Sequence, residues 1–430
     1  MVVNVGNTGN VESAAAGAWG VAGRYREFSW RQARGRCTAH EELSARIGQD
    51  PELCDLLSGS LPAGDKQQPD LLLAAVRYLD GPHAELGPRG DLAYGRWREW
   101  TIRHWDEVRA VIMQRSARTD EPAHCATLLP LLARLPQPLA LLEVGTSAGL
   151  CLHPDRYRYH YRYEDDRGAG GGALPGDALQ GDALRGDALP GDALQGDALR
   201  GDALPGDALQ GDAPHGDAPH GDDAPQRAPL RAEVGEPGNP LVLGCRTGWP
   251  ADELPDRLPH IVWRGGIGLD PLDPAAERDD LRWLQALVWP GDGERAARLS
   301  AAVDAVRSVP RPRMVRGDLL DELPALAAEA PPEATLVIFH TAALAHLPPA
   351  RREEFARLVR SLLDGRAGGG HWIANEHHSV LPWITAPAHH PPHPDDALLT
   401  LALDERPVAL TGPHGETLRR LPGAEGVARD

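Results

Sequence analysis

The spacing of apolar residues divides the chain into a helical first third and a later part in which strands and helices alternate. Between Tyr25 and Leu135 apolar residues recur every three to four positions, as on one face of a helix. Apolar stripes of this kind pack into a hydrophobic core more often than they contact a cofactor. Its large members at 97–112 are Trp97, Trp100, Trp105, Val108 and Ile112. We therefore predict a helical N-terminal region over 21–136, with Pro130 placed to kink its last helix.

From Pro138 onward, short apolar runs replace the helical period. Runs that are apolar on both faces are typical of buried strands in a parallel sheet. The five runs are Pro138–Val144, His260–Asp270, Arg313–Asp318, Thr335–His340 and His371–Glu376. Helical patterns lie between them at Glu277–Trp289, Glu294–Val306 and Ala350–Asp364. The alternation predicts an α/β fold with a doubly wound, Rossmann-like sheet over 137–421, which ends in antiparallel strands after Leu398.

A low-complexity insertion interrupts this part of the chain at 168–226. The unit GDALx recurs from Gly176, and the tract holds no aromatic and no β-branched residue. Such a composition cannot offset its ordering entropy by burial, so we predict a disordered insertion; weak cation binding and a repeat solenoid are the alternatives. The flanks Tyr157–Glu164 and Asn239–Trp249 are expected to form a β-hairpin that carries it. The ends of the chain, 1–20 and 422–430, are also predicted to be disordered or flexible.

Charge and cysteine usage narrow the classes of function. The 430 residues carry a formal net charge of −18, and the eleven Asp and two Arg of 168–226 contribute half of it. An acidic chain does not attract phosphate backbones, so nucleic acid is a poor partner. No apolar run reaches the roughly eighteen residues of a membrane span, and no secretory signal is evident. Five widely spaced cysteines without a C-x-x-C pair predict reduced thiols and a cytoplasmic location.

The most informative stretch is LLEVGTSAGL, Leu141–Leu150. An apolar strand ends near the acid Glu143, and Gly145, Ser147 and Gly149 follow before the predicted start of a helix. This arrangement builds a tight turn at the carboxyl end of a sheet, where backbone N–H groups and a helix N-terminus face a ligand. The stretch resembles the first motif of class I S-adenosylmethionine methyltransferases.

The methyltransferase resemblance implies roles for the ends of three further strands. Asp270 ends the next strand, where such enzymes hold the ribose hydroxyls with an acid. Asp318 ends the third, where an acid or amide meets the adenine amine. His340 ends the fourth, where substrate chemistry usually occurs, and imidazole titrates near neutrality. The resemblance thus implies S-adenosylmethionine as cofactor, His340 as the catalytic candidate and N-terminal helices that cap the cleft. The cofactor-binding candidates are Glu143, Gly145, Ser147, Gly149, Asp270 and Asp318.

Three alternatives stay open beside an S-adenosylmethionine site. The letters GTSAG also fit the nucleophile elbow of α/β hydrolases, with Ser147 as nucleophile. Asp318 or Asp321 and His340 or His346 would then complete a triad. The helical first third does not favour a hydrolase. A nucleophile elbow follows several earlier strands, whereas no strand is predicted here before Pro138. A degenerate Rossmann turn without cofactor and a scaffold that only binds a partner are the other two.

Histidines cluster at 371–393, but their pattern does not predict a metal site. His377 and His378 would point to opposite faces of a strand, and the later histidines lie in a Pro-rich loop that cannot preorganise ligands. We expect solvated or structural histidines. Glu376 follows the fifth strand, where it either lines the same cleft as His340 or has a packing or capping role.

Several phrases together resemble the bacterial domain-of-unknown-function 2332 family. They include WRGGIGLDPLD, RMVRGDLLDELPAL, VIFHTAALAHLPP and ALDERPVALTGPHG. The resemblance covers 22–421 without the repeat tract and implies one helical-plus-Rossmann-like unit with a methyltransferase-like sheet, but no established activity. CLHP at 151–154 departs from the expected pattern of an Asn and a longer apolar helix start. We expect a small-molecule ligand, while the acceptor and the oligomeric state stay open.

Overall fold

The computed structural model describes residues 20–82, 90–163, 231–384 and 398–424. The predictions for 168–226, and those for 1–19 and 425–430, fall outside these ranges. All described residues belong to one compact unit. Within these ranges, no helix combines the length and the apolar character that crossing a membrane requires.

Helices and short turns account for the regular structure before Leu139. The helices are α1 (Val21–Glu27), a π-helical segment (Phe28–Ala33), α2 (Thr38–Ile47), α3 (Pro51–Ser60), α4 (Pro69–Tyr78), α5 (Asp91–Arg103), α6 (Trp105–Gln114) and α7 (His124–Leu132). The predicted apolar stripe is buried as expected, except that Trp100 is only partly buried. A break at His104 divides the stripe between α5 and α6.

Eleven strands of the described chain form one sheet. They are β1 (Leu139–Val144), β2 (Arg158–Tyr163), β3 (Arg231–Val234), β4 (Val242–Thr247), β5 (Ile261–Gly268), β6 (Arg313–Arg316), β7 (Thr335–Thr341), β8 (Gly370–His377), β9 (Leu399–Leu403), β10 (Arg406–Thr411) and β11 (Thr417–Arg420). Their order is β3-β2-β4-β11-β10-β9-β8-β7-β1-β5-β6. Six of the ten neighbouring pairs are parallel. The fold is therefore α/β with a large, mixed and mostly parallel sheet, as the sequence predicted at the level of class.

Strand β1 is buried on both faces and joins two hydrophobic cores. Leu139 and Leu141 pack with the N-terminal helices, whereas Ala140, Leu142 and Val144 pack on the opposite face. The helices after β1 are α8 (Arg278–Leu287), α9 (Gly293–Val306), α10 (Leu319–Glu329) and α11 (Pro349–Leu363). The first two belong to the core of the N-terminal helices, and the last two cover the other face. The result is three layers with the sheet in the middle.

The helix predicted after Gly149 is absent. Two three-residue 3-10 turns, Leu150–Leu152 and Pro154–Arg156, lead instead into β2. Pro154 could not continue an α-helix that begins at Leu150, because proline lacks the N–H group and clashes with the preceding turn. The prediction that a helix N-terminus faces the ligand here is therefore wrong.

The hairpin predicted around the insertion is also wrong in its second strand. Strand β2 pairs antiparallel with β3, which is only four residues long, and parallel with β4 on its other side. The sequence analysis missed β3 because RAEV is too short to establish a period. It also missed α10, in which Pro324 interrupts the helical pattern. The predicted antiparallel strands after Leu398 are β9, β10 and β11.

Candidate functional site

A cleft of about 1460 Å³ opens at the carboxyl ends of the central parallel strands. Residues at the ends of β1, β5, β6 and β7 form its floor: Glu143, Gly145, Asp270, Arg316 and Thr341. From β1, the chain continues to β5 and β6 on one side and later to β7 and β8 on the other. Open α/β sheets bind ligands at such a point, outside the carboxyl ends of the strands.

The N-terminal region supplies the opposite wall of the cleft. Asp65 and Lys66 line it from a turn before α4, and the segment 113–121 lines it from the end of α6 and the loop that follows. Residues 289–292, between α8 and α9, close a third side. These segments therefore bound the cleft opposite and beside the strand ends.

Two carboxyl groups, Glu143 and Asp120, interact within the cleft. The Thr146 hydroxyl donates to Glu143 Oε2 at 2.7 Å. Burial, followed by the charge of Asp120, raises the pKa of Glu143 to about 8. Burial also raises the pKa of Asp120. Glu143 is therefore mostly protonated at neutral pH in the folded chain.

Asp120 occupies the backbone groups that follow β1. Its Oδ2 atom accepts hydrogen bonds from the N–H groups of Ala148 at 2.8 Å and Leu150 at 3.3 Å. The sequence analysis expected these N–H groups to face a ligand. They bind the protein's own carboxylate instead, so a ligand in the cleft meets side chains rather than the N–H groups of this turn.

Asp270 brings an unsatisfied acceptor to the cleft. Its side chain is 18% exposed, and its Oδ1 atom lies 3.7 Å from the guanidinium of Arg316. Its Oδ2 atom is buried and has no hydrogen-bond partner among the described residues. Burial raises the pKa of the carboxyl, and Arg316 opposes this shift. A buried acceptor of this kind calls for a donor from a ligand or water.

Gly145 fits closely against the loop after β7. Its φ is +79°, and a Cβ added here would lie 2.4 Å from the Cβ of Ala343. Only glycine satisfies both conditions, so this residue sets the shape of the cleft floor. Gly149 begins the 3-10 turn next to Leu152 and Met314 and is not among the residues that line the cleft.

Ser147 lines the cleft, but its hydrogen bond is not that of a hydrolase nucleophile. Its hydroxyl donates to the backbone carbonyl of Arg118 at 3.2 Å. Within the described ranges, no histidine nitrogen is its partner, although His346 also lines the cleft. A nucleophile-to-base hydrogen bond is the defining contact of a hydrolase triad, and this geometry does not favour the triad hypothesis.

Asp318 connects two helices away from the cleft. It caps α10 by accepting from the N–H of Leu320 at 2.9 Å, and Arg351 donates to both carboxylate oxygens at 2.7 and 2.8 Å. These Arg351 hydrogen bonds hold the pKa of Asp318 below its usual range. The residue stabilises the contact between α10 and α11 and does not line the cleft.

His340 is fully buried, and both its ring nitrogens bind within the fold. Trp372 Nε1 donates to its Nε2 atom at 2.9 Å, so Nδ1 carries the proton and donates to Glu376 Oε1 at 2.8 Å. The same Glu376 oxygen accepts from the N–H groups of Ala343 and Leu344 at 2.8 and 2.9 Å. Glu376 therefore caps the loop that forms the β7 wall of the cleft, and His340 orients Glu376.

Arg118 is a partly buried cation of the N-terminal wall, and it reaches the turn after β1. Its Nη1 atom lies 3.8 Å from the position of a Cβ on Gly145. Burial lowers its pKa, and Asp65 attracts it only from beyond ion-pair distance. Neither Arg118 nor Asp120 was predicted as a site residue. Both lie in the loop between α6 and α7, and that loop contains no recognisable motif. In the part of the chain that the structure describes, no group of three potential metal ligands is assembled.

One family model matches nearly the whole described chain. It is described as an uncharacterized protein conserved in bacteria (DUF2332), and it matches residues 22–194 and 225–420. No curated protein and no solved structure matches the chain significantly. The matched segments contain all the residues that line the cleft. This chain belongs to the DUF2332 family of bacterial proteins.

Proposed function

We propose that the cleft binds S-adenosylmethionine and that the protein transfers the methyl group to a small acceptor. The observation that carries this proposal is the buried, unsatisfied Oδ2 atom of Asp270 at the end of the strand next to β1. A ribose presents hydroxyl donors that fit such an acceptor. The nucleoside would then lie over β5, with the rest of the cofactor towards Glu143.

The order of the central strands supports a Rossmann-type core. Numbered along the chain, the five parallel strands β1, β5, β6, β7 and β8 lie in the spatial order 3-2-1-4-5. This is the arrangement of doubly wound nucleotide-binding sheets, whose ligands lie at the strand where the direction switches. The proposed methyltransferase-type fold rests on this order together with the acids at the ends of β1 and β5.

The size of the cleft fits a cofactor and a second molecule. A pocket for one drug-sized ligand measures roughly 300–1,000 Å³, and this cleft measures about 1460 Å³. When bound, S-adenosylmethionine supplies an electrophilic methyl group. The chain's own residues would bind and orient the two molecules, and the helical wall would exclude water.

The proposal divides the sequence-predicted residues into two groups. Glu143, Gly145, Ser147 and Asp270 line the cleft and are the ones we assign to ligand contact. The remaining three lie behind it: Gly149, Asp318 and His340. We assign His340 a positioning role through Glu376 instead of direct acid or base catalysis.

Titration calorimetry tests the proposal. Wild-type protein is expected to bind S-adenosylmethionine and S-adenosylhomocysteine. Asp270→Asn is expected to bind both at least about tenfold more weakly, because a hydrogen bond to a charged acceptor is lost. Asp318→Asn makes the same chemical change outside the cleft and is expected to bind like wild type. The absence of heat at millimolar ligand, or equal binding by Asp270→Asn, would contradict the proposal.

A further inference from the structure

The N-terminal wall of the cleft carries a cation, Arg118, that reaches Gly145 and whose charge is not neutralised by an ion pair. No carboxylate of the described residues lies within ion-pair distance of the Arg118 guanidinium. Four of the other five arginines that line the cleft have such a partner: Arg31 with Glu27, Arg115 with Asp280, Arg295 with Glu121 and Arg316 with Asp270. The fifth, Arg36, bonds the ring of His414 at 3.0 Å instead. A partly buried charge without a partner is costly, so Arg118 is suited to an anion that enters the cleft.

Two uncharged side chains on the β7 side of the cleft add hydrogen-bond capacity. Thr341 ends β7 and lines the cleft, and its buried hydroxyl has no hydrogen-bond partner among the described residues. His346 lines the same wall. Burial, with a contribution from Arg118, lowers the pKa of His346 to about 4, so its imidazole is neutral. The charge of Asp65 raises the pKa of both Arg118 and His346 without forming an ion pair with either, and Glu376 also raises the pKa of His346.

The two sides of the cleft therefore offer different hydrogen-bonding groups. Asp270 offers an unsatisfied acceptor at the β5 side, where Arg316, Arg115 and Lys66 surround it, and this acceptor suits a hydroxyl group. Arg118, on the N-terminal wall, and Thr341, at the β7 side, offer donors. A ligand pair with a diol at one end and an anion at the other would satisfy both sides.

We propose that Arg118 and Thr341 form an anion-binding subsite that takes the carboxylate or phosphate group of a small acceptor. Its assignment to the acceptor rests on the methyl transfer proposed above, whereas anion binding does not depend on that function. The guanidinium fork suits either anion, because carboxylate and phosphate both accept two parallel hydrogen bonds.

Calorimetric titration with inorganic phosphate and, separately, with acetate tests the subsite and distinguishes the two anions. Wild-type protein is expected to bind at least one of them in the millimolar range. Arg118→Gln is expected to bind the same anion at least about tenfold more weakly. Arg31→Gln removes the same charge from an arginine that already pairs with Glu27 and should bind like wild type. Arg118→Lys retains the charge and should retain part of the affinity.

Three outcomes would overturn the inference. Wild-type protein could bind neither anion, or Arg118→Gln could bind as wild type does. Thirdly, Arg118→Gln could lose S-adenosylhomocysteine together with the anion, which would give the subsite to the cofactor instead of the acceptor. Anion binding by a wild-type protein that does not bind S-adenosylhomocysteine would contradict only the proposed methyl transfer. Because Arg118 is partly buried and forms no ion pair within the described ranges, Arg118→Gln should unfold at or above the wild-type temperature, which excludes a folding defect.

Discussion

At the scale of single residues, the buried Glu143 makes the stability of the fold depend on pH. Folding raises its pKa from 4.5 to about 8, chiefly through burial. The folded chain therefore holds a proton that the unfolded chain has lost between these values. The associated stability is complete below about pH 4.5 and is lost as the pH rises through about 8.

Glu143→Gln cannot ionise and should gain stability relative to wild type as the pH rises. We expect the gain between about pH 5 and pH 9 to be on the order of 4 kcal/mol, measured as the free energy of unfolding in urea. Glu99→Gln is the control, because Glu99 is exposed on α5 and pairs with Arg103. A difference between Glu143→Gln and wild type that stays constant with pH would contradict the burial of this carboxyl.

A comparison of Gly145 with Gly291 distinguishes the cost of a positive φ from the cost of a steric clash. Gly145→Ala would place a methyl group against Ala343 in addition to adopting an unfavourable φ. Gly291 has a similar φ of +88°, but nothing lies within 4 Å of an added Cβ. Chemical denaturation should therefore show a loss of about 1 kcal/mol for Gly291→Ala and roughly 2–3 kcal/mol for Gly145→Ala. Equal losses would show that the loop after β7 does not pack against Gly145.

At the scale of elements, Glu376 on β8 stabilises the loop after β7 by accepting hydrogen bonds from its backbone. Glu376→Ala would leave the N–H groups of Ala343 and Leu344 and the His340 proton without an acceptor in the core. We expect a loss of about 3 kcal/mol in the free energy of unfolding, and a smaller loss for Glu376→Gln, which keeps an acceptor oxygen. Glu354→Ala, at an exposed position of α11, should change stability by less than about 0.5 kcal/mol. A mild effect of Glu376→Ala would show that the loop is held by other contacts.

The elements that the sequence predicted well are those with a clear period. The five runs of the parallel sheet correspond to β1, β5, β6, β7 and β8. Strands β1 and β7 are almost wholly buried and therefore almost wholly apolar, whereas β6 lies at the edge of the sheet and is only partly buried. Since the carboxyl ends of parallel strands meet at one edge, Glu143, Gly145 and Asp270 could be placed at a common cleft from their positions alone.

The sequence could not show what those strand ends contact. Asp318 and His340 also lie at the ends of parallel strands, but neither side chain lines the cleft. Asp318 binds Arg351, and His340 binds Trp372 and Glu376, all more than thirty positions away in the chain. Asp120 reaches the turn after β1 from a loop with no recognisable motif. Tertiary contacts of this kind leave no periodic signal in the chain.

At the scale of the whole molecule, part of the repeat tract lies outside the segments that the family model matches. The family model leaves 195–224 unmatched, inside the GDALx tract. Deletion of Gly176–Asp223 is therefore expected to change the melting temperature by less than about 2 °C in differential scanning calorimetry. Deletion of Arg231–Val234, which removes β3 from the sheet, is the control and should lower it clearly. A large loss on removing the tract would show that it packs on the fold.

A crystal structure of the protein with S-adenosylhomocysteine would test the central claim most directly. We predict that the nucleoside occupies the cleft over β5, with a ribose hydroxyl within hydrogen-bond distance of Asp270 Oδ2. The β7 wall beside Arg118 should stay accessible to a second molecule. Density for the nucleoside outside the cleft, or a ribose that does not contact Asp270, would contradict the account.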